Sequence, residues 1–222
     1  MKRLIVAAIA AVAICGAPAL AADLPVKAPA SAAPIPNWTG LYVGIAGGGA
    51  WGSSTHDFLP LGTHGSFDVS GGLFGGTVGY NYQVGQFLAG IEGDLSWASS
   101  SGSTIGAPTL CTNGPCTTKL NWLSTVRGRV GYVMGAWMPY VTGGVAFGDL
   151  KACENVTCSS STEAGWTIGG GVEATFAPRW SAKVEYLYAD FGSNPAYFLF
   201  LPHTVSLTEN IVRVGVNYKF GN

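Results

Sequence analysis

Charge is scarce in this chain. Asp, Glu, Lys and Arg together make up 10% of its 222 residues, against roughly 25% in ordinary soluble domains, so a water-facing surface is hard to assemble from them. The eleven Lys and Arg are scattered and the formal net charge is -1, which leaves no basic footprint for nucleic acid. No apolar run approaches the roughly 20 residues that a membrane-spanning helix requires, and no stretch shows helical amphipathicity. The 33 glycines follow no three-residue period, which excludes a collagen-like chain. Aromatic residues at 12%, with abundant β-branched residues, are incompatible with intrinsic disorder.

What is present begins with an export signal. Lys2 and Arg3 precede the apolar stretch Leu4 to Ile14, and Ala19-Leu20-Ala21 supplies a small-x-small cleavage site, so 1–21 reads as a secretory signal peptide. Ile14 before Cys15 is bulkier than lipoprotein processing accepts. Residues 22–37 carry Pro25, Pro29, Pro34 and Pro36 and read as an extended periplasmic linker. The folded domain is then 38–222.

Export places Cys111, Cys116, Cys153 and Cys158 in an oxidising compartment, where an even number of cysteines favours disulfides. Both pairs read C-x4-C across turn-forming residues. Two local bridges are the simplest connectivity, and zinc is disfavoured because metal-binding cysteine pairs more often stand two apart.

From Trp38 onward, polar and apolar residues alternate with a period of two, the sign of strands with two different faces. Eight such runs are expected, at about 39–52, 71–83, 86–98, 118–134, 137–149, 162–176, 179–190 and 206–220. Tight turns at Gln83 to Gln86, Met134 to Trp137 and Ala177 to Arg179 alternate with long connections at 53–70, 99–117, 150–161 and 191–205. This predicts an all-β fold, an eight-stranded antiparallel up-and-down transmembrane β-barrel.

The two strand faces differ in kind. One carries Ile91, Leu95 and Trp97; Leu120, Trp122, Val126, Val130 and Tyr132; and Val212, Val214 and Val216. The other collects Glu92, Asp94, Glu173 and Glu185 with Arg127, Arg129, Lys183, Arg213 and Lys219. A near-balanced set on one phase suits a narrow lumen in which carboxylates and cations pair. A lipocalin-like soluble barrel would instead need many outward Lys and Glu. Trp38, Tyr42, Tyr80, Tyr82, Trp137, Tyr140, Trp180, Tyr218 and Phe220 gather toward the turn side as an interfacial girdle would, although Tyr140 falls on the inward phase.

The last strand, Arg213-Val214-Gly215-Val216-Asn217-Tyr218-Lys219-Phe220, resembles the assembly signal of outer-membrane barrels through Arg213, Gly215, Tyr218 and Phe220. That resemblance implies the barrel assembly machinery as a partner during insertion; Gly221 and Asn222 after the final aromatic depart from the usual terminal Phe. Trp38-Thr39-Gly40-Leu41-Tyr42-Val43-Gly44, Gly128-Arg129-Val130-Gly131-Tyr132, Tyr140-Val141-Thr142-Gly143-Gly144 and Ala164-Gly165-Trp166 resemble the small outer-membrane immunogenic, or porin-family, β-barrel proteins of Gram-negative bacteria. Their architecture is similar to the outer-membrane protein A transmembrane domain. The resemblance spans Trp38 to Phe220 and implies a structural, envelope-integrity or surface-antigen role, with weak pore activity or haemin binding in some members.

Few residues suggest chemistry. Gly47 to Gly52 satisfies G-x-G-x-x-G, but no helix follows to present its N-terminus to a pyrophosphate. His56, His64 and His203 fall in predicted loops; no spacing sets a nucleophile beside a base, so catalysis is not expected. His56 and His64 are the candidates for haemin, since imidazole ligates haem iron. No metal site and no cofactor are expected. The expected setting is the outer membrane, with termini periplasmic, long loops outside, lipid and lipopolysaccharide around the wall, and haemin or host surface ligands as candidate loop partners.

Overall fold

The computed structural model describes residues 37–58, 63–104, 116–154, 157–198 and 201–220. The signal peptide, the linker up to residue 36, and Cys111 with its expected bridge to Cys116 lie outside them. Eight strands run in chain order: β1 (Gly40–Phe58), β2 (Thr63–Val84), β3 (Phe87–Thr104), β4 (Cys116–Tyr132), β5 (Trp137–Glu154), β6 (Thr157–Ala177), β7 (Trp180–Phe198) and β8 (Leu201–Lys219). Each pairs antiparallel with its neighbour, and β8 returns to β1 from Tyr42↔Lys219 to Phe58↔His203, closing the barrel. Within the closed part of the wall, closure gives the strands hydrogen-bonded neighbours on both sides, as hydrocarbon demands.

Two of the three tight turns form where glycine permits them, and the third passes through Pro178 and Arg179. Gly85 and Gly135 both take φ +61°, a left-handed conformation that two-residue hairpins need and that costs other residues. At the opposite end the strands run further than the sequence pattern suggests. Segments expected as long loops are paired to Phe58↔Thr63, Thr104↔Cys116, Glu154↔Thr157 and Phe198↔Leu201. Once the apolar ladder below sets the register, each further rung satisfies backbone groups that an irregular loop would leave to water, so the wall extends past the apolar alternation.

The outward face is a lipid-facing belt. Ile45, Val78, Ile91, Val130, Val141, Ile168, Val184 and Val214 are all exposed. Aromatic residues border it on both sides. Tyr80, Tyr82, Phe87, Tyr132, Trp137, Phe176, Trp180, Tyr218 and Phe220 stand at the turn end, and Trp51, Trp97, Trp122, Trp166 and Tyr188 at the other. From Phe87 to Trp97 on β3 the rise is roughly 25 Å at about 3.3 Å per residue and a tilt near 40°, the height of the apolar band on outer-membrane barrels.

Two expectations change. Trp38, Tyr42 and Tyr140 are buried inside the barrel rather than in the girdle. Leu120 also points inward and is 1% exposed. An extra residue in β4, marked by the register shift between Leu120 and Leu123 against β5, reverses the side-chain phase above Trp122; a bulge does this because alternation has a period of two.

Candidate functional site

The lumen is where the polar residues meet, and it has three storeys. The middle storey holds four carboxylates, Glu92, Asp94, Glu173 and Glu185, and four cations, Arg127, Arg129, Lys183 and Arg213, each no more than 2% exposed except Asp94 at 5%. Strand alternation points them inward, and closure brings β3, β4, β6, β7 and β8 within reach of one another.

Glu92 is the hub. Its Oε1 accepts from Arg127 Nη2 at 2.6 Å, Lys183 Nζ lies 2.8 and 2.7 Å from its two oxygens, and the Tyr42 hydroxyl donates to Oε2 at 2.8 Å. Asp94 accepts two parallel bonds from Arg213, at 3.2 and 3.1 Å, with Arg127 Nη2 at 3.0 Å and the Thr125 hydroxyl beside it. Glu185 is held by Arg213 Nε at 2.7 Å, by Arg127 Nη1 at 3.2 Å and by the Tyr140 hydroxyl at 2.8 Å. Glu173 binds Arg129 at 3.0 Å, Asn217 at 2.7 Å and the Ser181 hydroxyl. Arg129 also donates to Asn81 at 3.0 Å. Buried charges are tolerated at such density only when each is paired and hydrogen-bonded.

Glycines leave the room that these side chains fill. Gly215 faces the Lys183 stem, and a Cβ there would meet Lys183 Cε at 3.4 Å and the Ile45 carbonyl at 2.9 Å. Lys219 does not join the network: it stands at the turn-side mouth and its ammonium donates to the Asn37 carbonyl. The strand ends there, so its side chain meets the Asn37 carbonyl at the mouth instead of the central carboxylates.

Apolar storeys close both sides. Toward the long hairpin ends lie Val69, Leu73, Leu120, Leu123, Leu150, Leu187, Phe191, Leu207 and Ile211; toward the turns lie Trp38, Leu88, Val133 and Met138. A ring of Leu and Ile side chains across an eight-stranded lumen excludes water as a protein core does. Within the first group lies Glu209, 1% exposed. Neither of its oxygens makes a hydrogen bond among the described residues, and the Ser100 hydroxyl faces it without closing one. Glu209 shares the phase of Arg213 along β8, so the alternation of that strand already marks it as an inward acid. The apolar storey leaves a weaker trace: Leu123, Leu187, Leu207 and Ile211 share the phase of the charges on their strands, whereas Val69, Leu150 and Phe191 lie in segments expected as loops and Leu120 on the phase expected to face lipid.

His56 is buried, with Nε2 3.1 Å from the Thr118 hydroxyl and its ring 5.4 Å from Phe67. His64 is opposite Asp57 in the β1–β2 register, one rung from His56. Successive residues alternate faces, so this register places the two histidine positions on opposite sides of the sheet. Cys153 and Cys158 face each other across β5 and β6 and form a disulfide. Of the C-terminal motif, Arg213 is in the lumen, whereas Tyr218 and Phe220 join Trp180 in the outer girdle, ring centroids 5.0 and 5.2 Å apart along the series.

A family model described as "Outer membrane protein beta-barrel domain" matches residues 7–220. The chain belongs to that family. It is 39% identical to the 31 kDa outer-membrane immunogenic protein of Brucella melitensis, over 99% of this chain and all of the relative. It is 34% identical to the 22 kDa outer membrane protein of Rhizobium leguminosarum, covering 90% and 83% of the two. Among solved structures it is similar to the outer membrane protein AlkL in lipid bilayers, at 15% identity and a TM-score of 0.47, over 90% of this chain and 98% of that one. As a member of this family the chain is an outer-membrane barrel, its wall in contact with lipid and lipopolysaccharide.

Proposed function

We propose that this barrel is a non-catalytic structural protein of the outer membrane, contributing to envelope integrity and presenting its long hairpins as surface antigens. Its termini and tight turns face the periplasm and the long hairpins face outside. The sealed lumen carries the reading: four carboxylates are neutralised by four cations between two apolar storeys. Each network carboxylate is engaged by Arg or Lys, which leaves no ionised group free to act as base or nucleophile within that storey. The immunogenic designation of the Brucella relatives supports the surface-antigen part.

A diffusion channel is the competing reading for a porin-like barrel. Conductance in planar bilayers separates the two. The mature protein is expected to leave the bilayer silent while running as a heat-modifiable band on gels. Steady, reproducible current steps that change when Arg127 or Arg129 is replaced by Gln would overturn the sealed-lumen reading.

A further inference from the structure

Two lysines meet on the outer wall. Lys119 on β4 and Lys151 on β5 are direct cross-strand partners, and both are exposed. Like charges directly opposite one another repel, yet among the described residues neither lysine takes part in an ion pair. The carboxylate nearest along the strand, Asp149, is one outward position below Lys151 and accepts from the Asn121 amide at 2.8 Å.

The same rung continues sideways into hydroxyls. Ser101 on β3 pairs with Lys119, and Ser160 on β6 pairs with Lys151, both exposed. Four adjacent strands thus present Ser, Lys, Lys and Ser in one row. Below it the wall turns aromatic, with Trp97 at 75% exposure, its cross-strand partner Trp122, and Phe147. The row stands just beyond the roughly 25 Å apolar band, at the depth of lipid headgroups on the hairpin side.

We propose that this row is a docking site for a phosphorylated, acylated glycolipid of the outer leaflet. The two ammonium groups take a phosphate between them, the flanking serine hydroxyls meet the polar sugar groups beside it, and the acyl chains lie on the tryptophan belt below. A phosphate resolves the repulsion that the register creates, since charge-assisted bonds to a shared anion replace two adjacent unpaired cations. An apolar protein partner would gain nothing from the lysines, and a free soluble anion would gain nothing from the tryptophans. The proposal rests on the orientation given above, with the long hairpins outside.

The test titrates the folded mature barrel, in detergent, with bisphosphorylated lipid A and reads bound lipid by native mass spectrometry. The double variant Lys119→Gln/Lys151→Gln is expected to bind at least about tenfold more weakly, on the scale of two lysines at an anionic surface. Lys219→Gln, at the other end, is expected to bind as the parent does. Lipid A stripped of its phosphates is expected to bind the parent no better than it binds the double variant. Heat-modifiable mobility on gels verifies that each variant is folded. Equal binding by parent and double variant would overturn the site while leaving the sealed lumen standing, and undiminished binding of the stripped lipid would do the same. Biotinylation of the double-lysine row only after cells are permeabilised would overturn the orientation, and with it the outer-leaflet assignment, even if the lipid binds in detergent.

Discussion

Tyr42 and Tyr140 clasp the Arg129 guanidinium between their rings, at 4.9 and 5.1 Å from the two centroids. The two tyrosines are equivalent halves of one arrangement. Tyr42 on β1 lies over Gly79 on β2 and donates to Glu92 on β3; Tyr140 on β5 lies over Gly171 on β6 and donates to Glu185 on β7, both at 2.8 Å. In each case a Cβ on the glycine would collide with the phenol. The cation is therefore held by carboxylates at its edge and by π faces above and below, where cation–π attraction is strongest because water is excluded.

Tyr42→Phe and Tyr140→Phe each keep the ring over Arg129 and remove one hydrogen bond to a buried carboxylate. Each is expected to cost about 1.5–3 kcal/mol, the value of a bond to a charged group. Urea titrations read by gel mobility of the folded band measure it. A loss below about 0.5 kcal/mol in both variants would show that the phenols contribute packing alone.

Glu92 and Lys183 test how the network is balanced. Among the described residues Lys183 makes its ion pair with Glu92 alone, whereas Glu92 also serves Arg127, Arg129 and Tyr42. Glu92→Leu is expected to destabilise by about 3–5 kcal/mol, because it strands buried cations. Adding Lys183→Met to Glu92→Leu removes one of them, and the double variant is expected to regain part of that loss in the same titration. A double variant less stable than Glu92→Leu by itself would contradict this assignment.

Gly148 makes room for Phe191. A Cβ at that position would come within 2.8 Å of Leu120 Cδ1 and 3.0 Å of Phe191 Cε1, inside the storey that seals the lumen. Gly148→Ala is expected to cost about 1–3 kcal/mol by overpacking, with Phe191→Leu in the same chain recovering much of it. The coupling energy of this double-mutant cycle is the quantity to measure; additive effects would mean that the two sites do not share the space.

Glu209 carries a carboxyl group into the same apolar storey with neither oxygen hydrogen-bonded among the described residues. Replacing it by Met keeps the volume and removes the cost of burying that group. The variant is expected to unfold at a higher urea concentration than the parent. A lower midpoint would reveal a partner that compensates the acid in the native barrel.

The alternation of residues from Trp38 to Phe220 by itself determined the number of strands, their order, the three tight turns and the confinement of Glu92, Asp94, Glu173, Glu185, Arg127, Arg129, Lys183 and Arg213 to a single phase. These are local properties, since a period of two and a turn glycine act within a few residues of chain. Closure decided the rest. Arg213 reaches Asp94 across 119 positions of sequence, and Lys183 reaches Glu92 across 91. No spacing rule encodes such contacts, because they depend on which strands face one another over the lumen. The extra residue in β4 reversed Leu120, and the strand ends released Lys219 to the rim while drawing Trp38 inside. Alternation determines that a side chain points inward, but only the curvature and register of the closed wall determine whether it meets a charge, a leucine or the barrel mouth.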